Sequence, residues 1–289
     1  MYVDRVHVKK AFAEYTAAYN ADDPKIKLKI DHTYRVAALC ERIAKAAGMS
    51  AYDIELAWLS GMLHDVGRFE QIKRYNTFSD ADSVDHAKFG ADLLFKDGLI
   101  STFLKGMVKS TGYKPGALED RYDSDGVFLY DRLNKSDMEM LELAIRCHNM
   151  YRIPQGLNRR EQAFCNVLRD ADKVDIFKVN IDTPLEEIYN TTTEELMKSD
   201  ITDEVLKAFD EEHCILKAIR RTPADTVIGH VSLAYELVYD ESVRITVEQG
   251  YLAKLMHFHS DNEETNRKMA MVREKMDSYV KKRIGEKDA

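Results

Sequence analysis

The sequence has few of the residues that make tight turns. Among its 289 residues are 13 glycines and 5 prolines, whereas a protein of many short strands needs turn residues at each connection. Hydrophobic residues still make up 45% of the chain, enough to bury a substantial core. We therefore predict an all-α protein.

Cysteine pairs with the spacing of metal or redox motifs are missing. The four cysteines are far apart and form no CxxC motif; they are Cys40, Cys147, Cys165 and Cys214. The first residues, MYVDRVHVKK, lack the apolar segment of a signal peptide, and no apolar run approaches the roughly 18 residues of a membrane span. We therefore expect reduced thiols, a cytoplasmic location and no membrane association.

An excess of basic residues is also missing. The formal net charge is −8, which argues against a broad surface for nucleic acid or anionic lipid. The sequence contains no glycine-rich phosphate loop of the Walker type. These features favour a small substrate over extended nucleic-acid binding.

Apolar residues at helical spacing predict a series of helices. The first clear one covers residues 30–47 and ends at Gly48, and the next covers residues 50–63. A polar connection then leads to a third helix, which we expect Asp82 or Ser83 to cap. The segment from about 105 to 134 is predicted to be a surface excursion that could act as a lid.

Ligand-type side chains interrupt the apolar faces of these helices. A single buried histidine is most simply a hydrogen-bonded core residue, but buried carboxylates cost several kcal/mol each unless paired or metal-bound. We find no lysine or arginine on the same faces, so a divalent cation is the expected partner. The residues are His32, His64, Asp65, His86, His148 and Asp172.

Their order along the chain resembles the H…HD…D pattern of the HD-domain metal-dependent phosphohydrolases. The pattern comprises His32, the pair in HDVGRFEQ at residues 64–71, and Asp172 within LRDADKVD. The segments DHAKFGADLL and AIRCHN add to the likeness, which covers roughly residues 25–178. The resemblance implies an HD-domain helical bundle in residues 1–180, with residues 181–289 as a C-terminal helical extension.

The resemblance also implies a metal site. His32, His64, Asp65 and Asp172 would hold one ion by motif position. In members with two ions, Asp65 would bridge them, while His86 and His148 would bind the second ion or contact a phosphate instead. Imidazole and carboxylate ligands suit Mn, Fe, Co, Ni or Zn, and Mg is also compatible.

The implied reaction is hydrolysis of a phosphomonoester or phosphodiester by metal-bound water held near Asp65. Arg68 follows the HD pair where many relatives carry a basic residue, so it would grip the phosphate as a catalytic residue or form a surface salt bridge. Arg74 and Arg152 are further candidates for substrate binding. The expected substrate is a nucleotide or another small phosphorylated metabolite.

A second interpretation is a non-catalytic metal-binding sensor or scaffold of the same fold. Its metal would be fully ligated by protein, whereas a hydrolytic site leaves positions for water and substrate. The C-terminal helices could complete the pocket, form a homodimer or do neither. No GYP motif stands where cyclic-dinucleotide hydrolases would carry one, which favours other phosphorylated substrates.

Overall fold

The computed structural model describes residues 3–20, 22–104, 133, 135–189 and 191–285. All regular secondary structure in these residues is helical, which confirms the all-α prediction. None of the described helices combines the length and apolar character needed to cross a lipid bilayer. The four cysteines are buried, and none of them forms a disulfide.

The chain divides into two compact units, Met1–Ala171 and Asp172–Ala289. The division falls inside one continuous helix, and the predicted domain boundary near residue 180 stays a prediction. The helices up to that point are α1 (Arg5–Thr16), α2 (Pro24–Ala46), α3 (Ala51–Leu63), α4 (Val66–Tyr75), α5 (His86–Ala91), α6 (Ile100–Leu104), α7 (Lys135–Cys147) and α8 (Arg159–Asp182).

Helices α2 and α3 form a tight antiparallel pair at the centre of the first unit. Gly48 takes a left-handed conformation with φ of 70° after α2, as the sequence indicates, and the Ser50 side chain caps α3 by accepting from the Asp53 N–H. A Cβ at Gly61 would lie 2.6 Å from the Ala37 Cα. This glycine lets the two backbones approach closely.

Helices α4 and α5 also cross at glycines. A Cβ at Gly67 would lie 2.5 Å from the His86 carbonyl oxygen and 2.7 Å from the Gly90 nitrogen. The predicted cap of α5 at Asp82 or Ser83 is wrong. The cap is Asp85, whose side chain accepts from the Lys88 N–H, so the polar connection extends further than its composition suggests.

A cluster of aromatic side chains packs against α4. The Phe69 ring is buried and packs edge-on against Phe12 at 5.8 Å and Tyr15 at 5.8 Å between centroids. Tyr15 also donates to the Val66 carbonyl oxygen at 3.0 Å. Helix α1 thereby holds the first turn of α4 in place.

Helix α8 begins with a reciprocal cap formed by Asn158 and Glu161. The Asn158 side chain accepts from the N–H groups of Arg160 and Glu161, and the Glu161 side chain accepts from the Asn158 N–H. Further along α8, the Arg169 guanidinium donates to the carbonyl oxygens of Met150 and Tyr151. The loop that follows α7 is thus tied to α8. The predicted lid at residues 105–134 lies outside the described residues, apart from Leu133.

The second unit continues with short helices and one long one. Thr222 and Asp225 form a capping box at the start of α12, and Pro223 occupies its first turn. The helices are α9 (Leu185–Tyr189), α10 (Thr193–Lys198), α11 (Asp203–Asp210), α12 (Pro223–Val231), α13 (Asp240–Gln249), α14 (Tyr251–Met256) and α15 (Glu263–Ile284).

Candidate metal centre

Asp65 lies at the junction where α3 ends and α4 begins. It occupies the cap position of α4 with φ of −106° and ψ of 15°, yet its side chain makes no capping hydrogen bond. The residue is only 2% exposed. Because the carboxylate does not serve the helix end, both of its oxygens are directed to the surrounding side chains.

One carboxylate oxygen faces two histidines from α2 and the end of α3. Asp65 Oδ2 lies 3.6 Å from His32 Nε2 and 3.5 Å from His64 Nε2. The two Nε2 atoms are themselves 3.3 Å apart. Both imidazoles are buried, so this first pair shares a small volume closed to bulk water.

The other carboxylate oxygen faces a second pair of histidines. Asp65 Oδ1 lies 3.6 Å from His86 Nε2 and 3.7 Å from His148 Nε2, and these two nitrogens are 3.1 Å apart. His86 begins α5 and His148 directly follows α7. Asp65 therefore stands between two histidine pairs, one at each oxygen.

The opposite edges of three imidazoles are anchored to acceptors. His64 Nδ1 lies 2.8 Å from the Gly61 carbonyl oxygen, and His148 Nδ1 lies 2.7 Å from the Ile145 carbonyl oxygen. His86 Nδ1 lies 2.7 Å from Asp80 Oδ2. Carbonyl oxygens only accept, so Nδ1 carries the proton in His64 and His148, and the Asp80 carboxylate favours the same tautomer in His86. Their Nε2 lone pairs then point towards Asp65.

These converging lone pairs fit a metal ion. His86 Nε2 and His148 Nε2 would repel each other at 3.1 Å if nothing positive lay near both. Ligand bonds to first-row metals are about 2.0–2.2 Å long, so two ligands of one ion stand roughly 3–3.5 Å apart. Asp65 Oδ1 is buried with no hydrogen bond. The imidazole nitrogens around Asp65 and this oxygen without a hydrogen bond are the ligands that a divalent ion needs.

Asp172, the remaining predicted ligand, is the residue of α8 directly after Ala171. Ligand atoms of His32, His64 and Asp172 all lie within 4.8 Å of one another, as do those of His64, Asp65 and His148. A third such group comprises Asp80, Asp85 and His86. The structure thus places all six predicted ligands in groups that could hold metal, and their role as ligands stays a prediction.

Lys29 is a site residue that the sequence argument missed. Its Nζ lies 2.7 Å from Asp65 Oδ2, so the expectation that no basic residue shares these helix faces is wrong. Burial opposes ionisation of Asp65, but the charge of Lys29, ahead of the other neighbours, holds the pKa of this carboxyl well below its usual value. The available signal was the position of Lys29, one helical turn before His32.

Arg68 lies next to the same carboxylate but is committed elsewhere. Its Nε is 3.8 Å from Asp65 Oδ1, and its Nη1 donates to Asp80 Oδ1 at 2.9 Å and to the Phe78 carbonyl oxygen at 2.8 Å. Arg68 thus forms a salt bridge with Asp80. This salt bridge is largely buried and does not lie at the surface, since the Arg68 side chain is 13% exposed. A role in gripping phosphate stays a prediction.

The other two predicted phosphate contacts lie on the surface. Arg74 donates to Glu70 Oε2 at 2.8 Å, and half of its side chain is exposed. Arg152 is exposed, and its guanidinium lies 4.5 Å from the centre of the Tyr151 ring. Neither position by itself indicates substrate contact, and both assignments stay predictions.

Asp80 is a second site residue that was not predicted from the sequence. One of its oxygens contacts His86, while the other accepts from Arg68 and Gln71. Burial opposes ionisation of Asp80, but the hydrogen bond from His86 and the charge of Arg68 hold its pKa far below the usual value. Since Asp80 lies in the connection between α4 and α5, no helical periodicity marks it.

Replacing Asp80 by Ala should weaken metal binding by about 10–100-fold, because outer partners of metal-binding histidines orient them and raise their basicity. Asp82→Ala, at an exposed position in the same connection, provides the control. Competition of each variant with a metal-sensitive dye would measure the effect. Equal affinities of the two variants would show that Asp80 does not orient His86 for metal.

A comparison with models of known protein families identifies the family of this chain. Searches of curated proteins and of solved structures each returned no match. The family model of the HD domain matches residues 30–177, which span α2 to α8 and contain all six candidate ligands. HD-domain proteins are metal-dependent and are generally phosphohydrolases. Because the match covers more than half of the chain, this protein belongs to the HD-domain family.

Proposed function

We propose that this protein is a metal-dependent phosphohydrolase acting on a phosphomonoester or phosphodiester of a nucleotide or another small phosphorylated metabolite. The observation that carries the proposal is the double histidine cluster around Asp65. Each Asp65 oxygen faces two imidazole nitrogens at 3.5–3.7 Å. This arrangement suits one ion, or two ions that share the Asp65 carboxylate.

The residues around the cluster divide into those that would hold metal and those that would meet substrate. A divalent ion held by His32, His64, Asp65 and Asp172, and a second at His86 and His148, would polarise phosphoryl oxygens and make water nucleophilic near neutral pH. Asp65 would orient that water as well as bind metal. Ions of the Mn, Fe, Co, Ni, Zn and Mg group are all compatible with these ligands.

Two cations beside Asp65 support binding of a phosphate. Lys29 Nζ lies 5.4 Å and the Arg68 guanidinium 5.6 Å from the centre of the Phe78 ring. The face of an aromatic ring attracts positive charge, so the Phe78 ring helps to keep both cations beside Asp65. Lys29 and Arg68 would thereby remain close to the phosphoryl group and offset its negative charge.

Replacing Lys29 by Met should lower kcat/KM by about tenfold or more, as expected when a donor to a charged oxygen is lost. Metal content should remain, because none of the predicted ligands changes. Lys27→Met, exposed on the same helix, should leave the kinetics unchanged. Phosphate release and elemental analysis of both variants measure the two effects. Full activity of Lys29→Met would remove this residue from the phosphate site.

The substrate class follows from charge and composition. A net charge of −8 opposes extended binding to nucleic acid, so the proposed partner is a small phosphorylated molecule. Four buried cysteines that form no disulfide support a cytoplasmic location. In this proposal the C-terminal helices are available to complete the pocket or to form a homodimer.

The decisive experiment joins metal analysis of the purified protein with phosphate release from a panel of nucleotides in Mn, Co, Ni and Mg. We expect one or two ions per chain and metal-dependent turnover of at least one substrate class. The panel should include mononucleotides, dinucleotides and alarmones. Bound metal without turnover of any phosphate ester would favour the sensor or scaffold alternative, and failure to bind metal would overturn the proposal.

A further inference from the structure

The second unit contains Arg220, a partly buried arginine that forms no salt bridge with any residue that the structure describes. The Arg220 guanidinium packs against α12, so close that a Cβ on Gly229 would stand 2.2 Å from its Cζ. Only glycine at position 229 leaves room for this placement. The charged group is therefore set by the packing of the fold and is not a side chain extended into solvent.

The hydrogen bonds of Arg220 leave most of its donors unused. Its Nη2 donates to the Ile215 carbonyl oxygen at 2.6 Å, while its Nε is buried with no acceptor. Within the part of the chain that the structure describes, no carboxylate forms a salt bridge with Arg220. The nearby Asp225 carboxylate instead accepts from Thr202, Arg221 and Thr222. Burial accordingly lowers the pKa of Arg220.

Lys217 and His230 lie close to Arg220 in the fold, since the Arg220 N–H donates to the Lys217 carbonyl oxygen at 3.2 Å and the guanidinium packs against Gly229, the residue before His230. His230 follows Gly229 directly, its ring lies 5.5 Å from the Tyr189 ring between centroids, and its Nδ1 is buried without a partner. Burial first, and then the charges of Arg220 and Lys217, lower the pKa of His230 to about 3. His230 is therefore a neutral donor at physiological pH, and the positive charge comes from Arg220 and Lys217.

We propose that Lys217, Arg220 and His230 form a second phosphate-binding site, located in the C-terminal unit. A partly desolvated guanidinium is costly without an anion nearby. A phosphoryl group presents several acceptor oxygens, whereas a carboxylate presents two, and it therefore suits an ammonium, an imidazole and the two-pronged guanidinium together. The group would be inorganic phosphate or a phosphate of a larger ligand.

Calorimetric titration of the full-length chain with inorganic phosphate, at constant ionic strength, tests the site. Arg220→Gln should weaken binding by about tenfold or more, and Lys217→Gln should weaken it by a smaller factor. Arg221→Gln removes the same charge at an exposed neighbouring position and should bind as the unaltered chain does. Absence of saturable binding in the unaltered chain, or equal losses in the Arg220 and Arg221 variants, would overturn the proposal.

A second variant tests the geometry of the site without changing any charged residue. Gly229→Ala displaces the flexible end of Arg220 without meeting backbone, so the chain should fold while phosphate binding falls. Circular dichroism confirms folding, and unchanged affinity in a folded Gly229→Ala protein would contradict the proposed geometry.

Titration of an Asp65→Asn variant with inorganic phosphate separates this site from the metal centre. Retained affinity supports a site outside the metal centre, whereas loss of binding would show that the phosphate binds at the metal centre and would overturn the proposal. Either result leaves the metal-centre proposal to be judged by the nucleotide panel alone.

Discussion

Replacing Asp65 by Asn should remove both bound metal and phosphohydrolase activity. Asp65 supplies an oxygen to each histidine pair, with four imidazole nitrogens at 3.5–3.7 Å. Asparagine keeps the shape of the side chain but loses its charge and one acceptor oxygen. We expect metal affinity and turnover to fall by at least about 100-fold, beyond the range for loss of an outer partner.

Elemental analysis and phosphate release on the same preparations measure the two losses together. Asp31→Asn is the matched control, since Asp31 is exposed on α2 beside His32 and its substitution should change neither quantity. Circular dichroism shows whether both variants fold. A folded Asp65→Asn protein with full metal content and normal turnover would refute the assignment of Asp65.

Replacing Gly67 by Ala should destabilise the first unit and distort the metal centre. The new methyl carbon would stand 2.5 Å from the His86 carbonyl oxygen and 2.7 Å from the Gly90 nitrogen. Both atoms belong to the backbone, so α4 and α5 must separate. Overpacking of this kind costs about 1–3 kcal/mol in the free energy of unfolding. The separation also moves His86 relative to Asp65, so metal affinity should fall as well.

Gly90→Ala tests the same crossing from the other helix with more clearance. Its methyl carbon would meet the Gly67 nitrogen at 3.0 Å, so we expect a smaller loss of stability and of metal affinity. Denaturant unfolding in the presence of a chelator gives the stability difference without the contribution of bound metal. Similar stabilities of the Gly67 variant and the parent protein would show that the helix crossing adjusts without strain.

Local sequence features were sufficient for the helices and for the family. Periodic apolar residues, the Ser50 and Asn158 caps and Gly48 define helix ends, because each acts within a few residues of itself along the chain. The H…HD…D order identified the HD-domain family before any distance was known. Asp82 or Ser83 was the wrong cap because several residues of that connection can cap a helix.

The sequence by itself determined that the protein is helical, that it belongs to the HD-domain family and which six side chains are candidate ligands. Only the tertiary structure decided that Asp65 separates two histidine pairs, that Lys29 contacts this carboxylate and that Asp80 holds His86. These contacts join residues 6–83 positions apart along the chain. Their distances depend on how closely helices cross at Gly61 and Gly67, and helix-crossing geometry cannot be obtained from local periodicity.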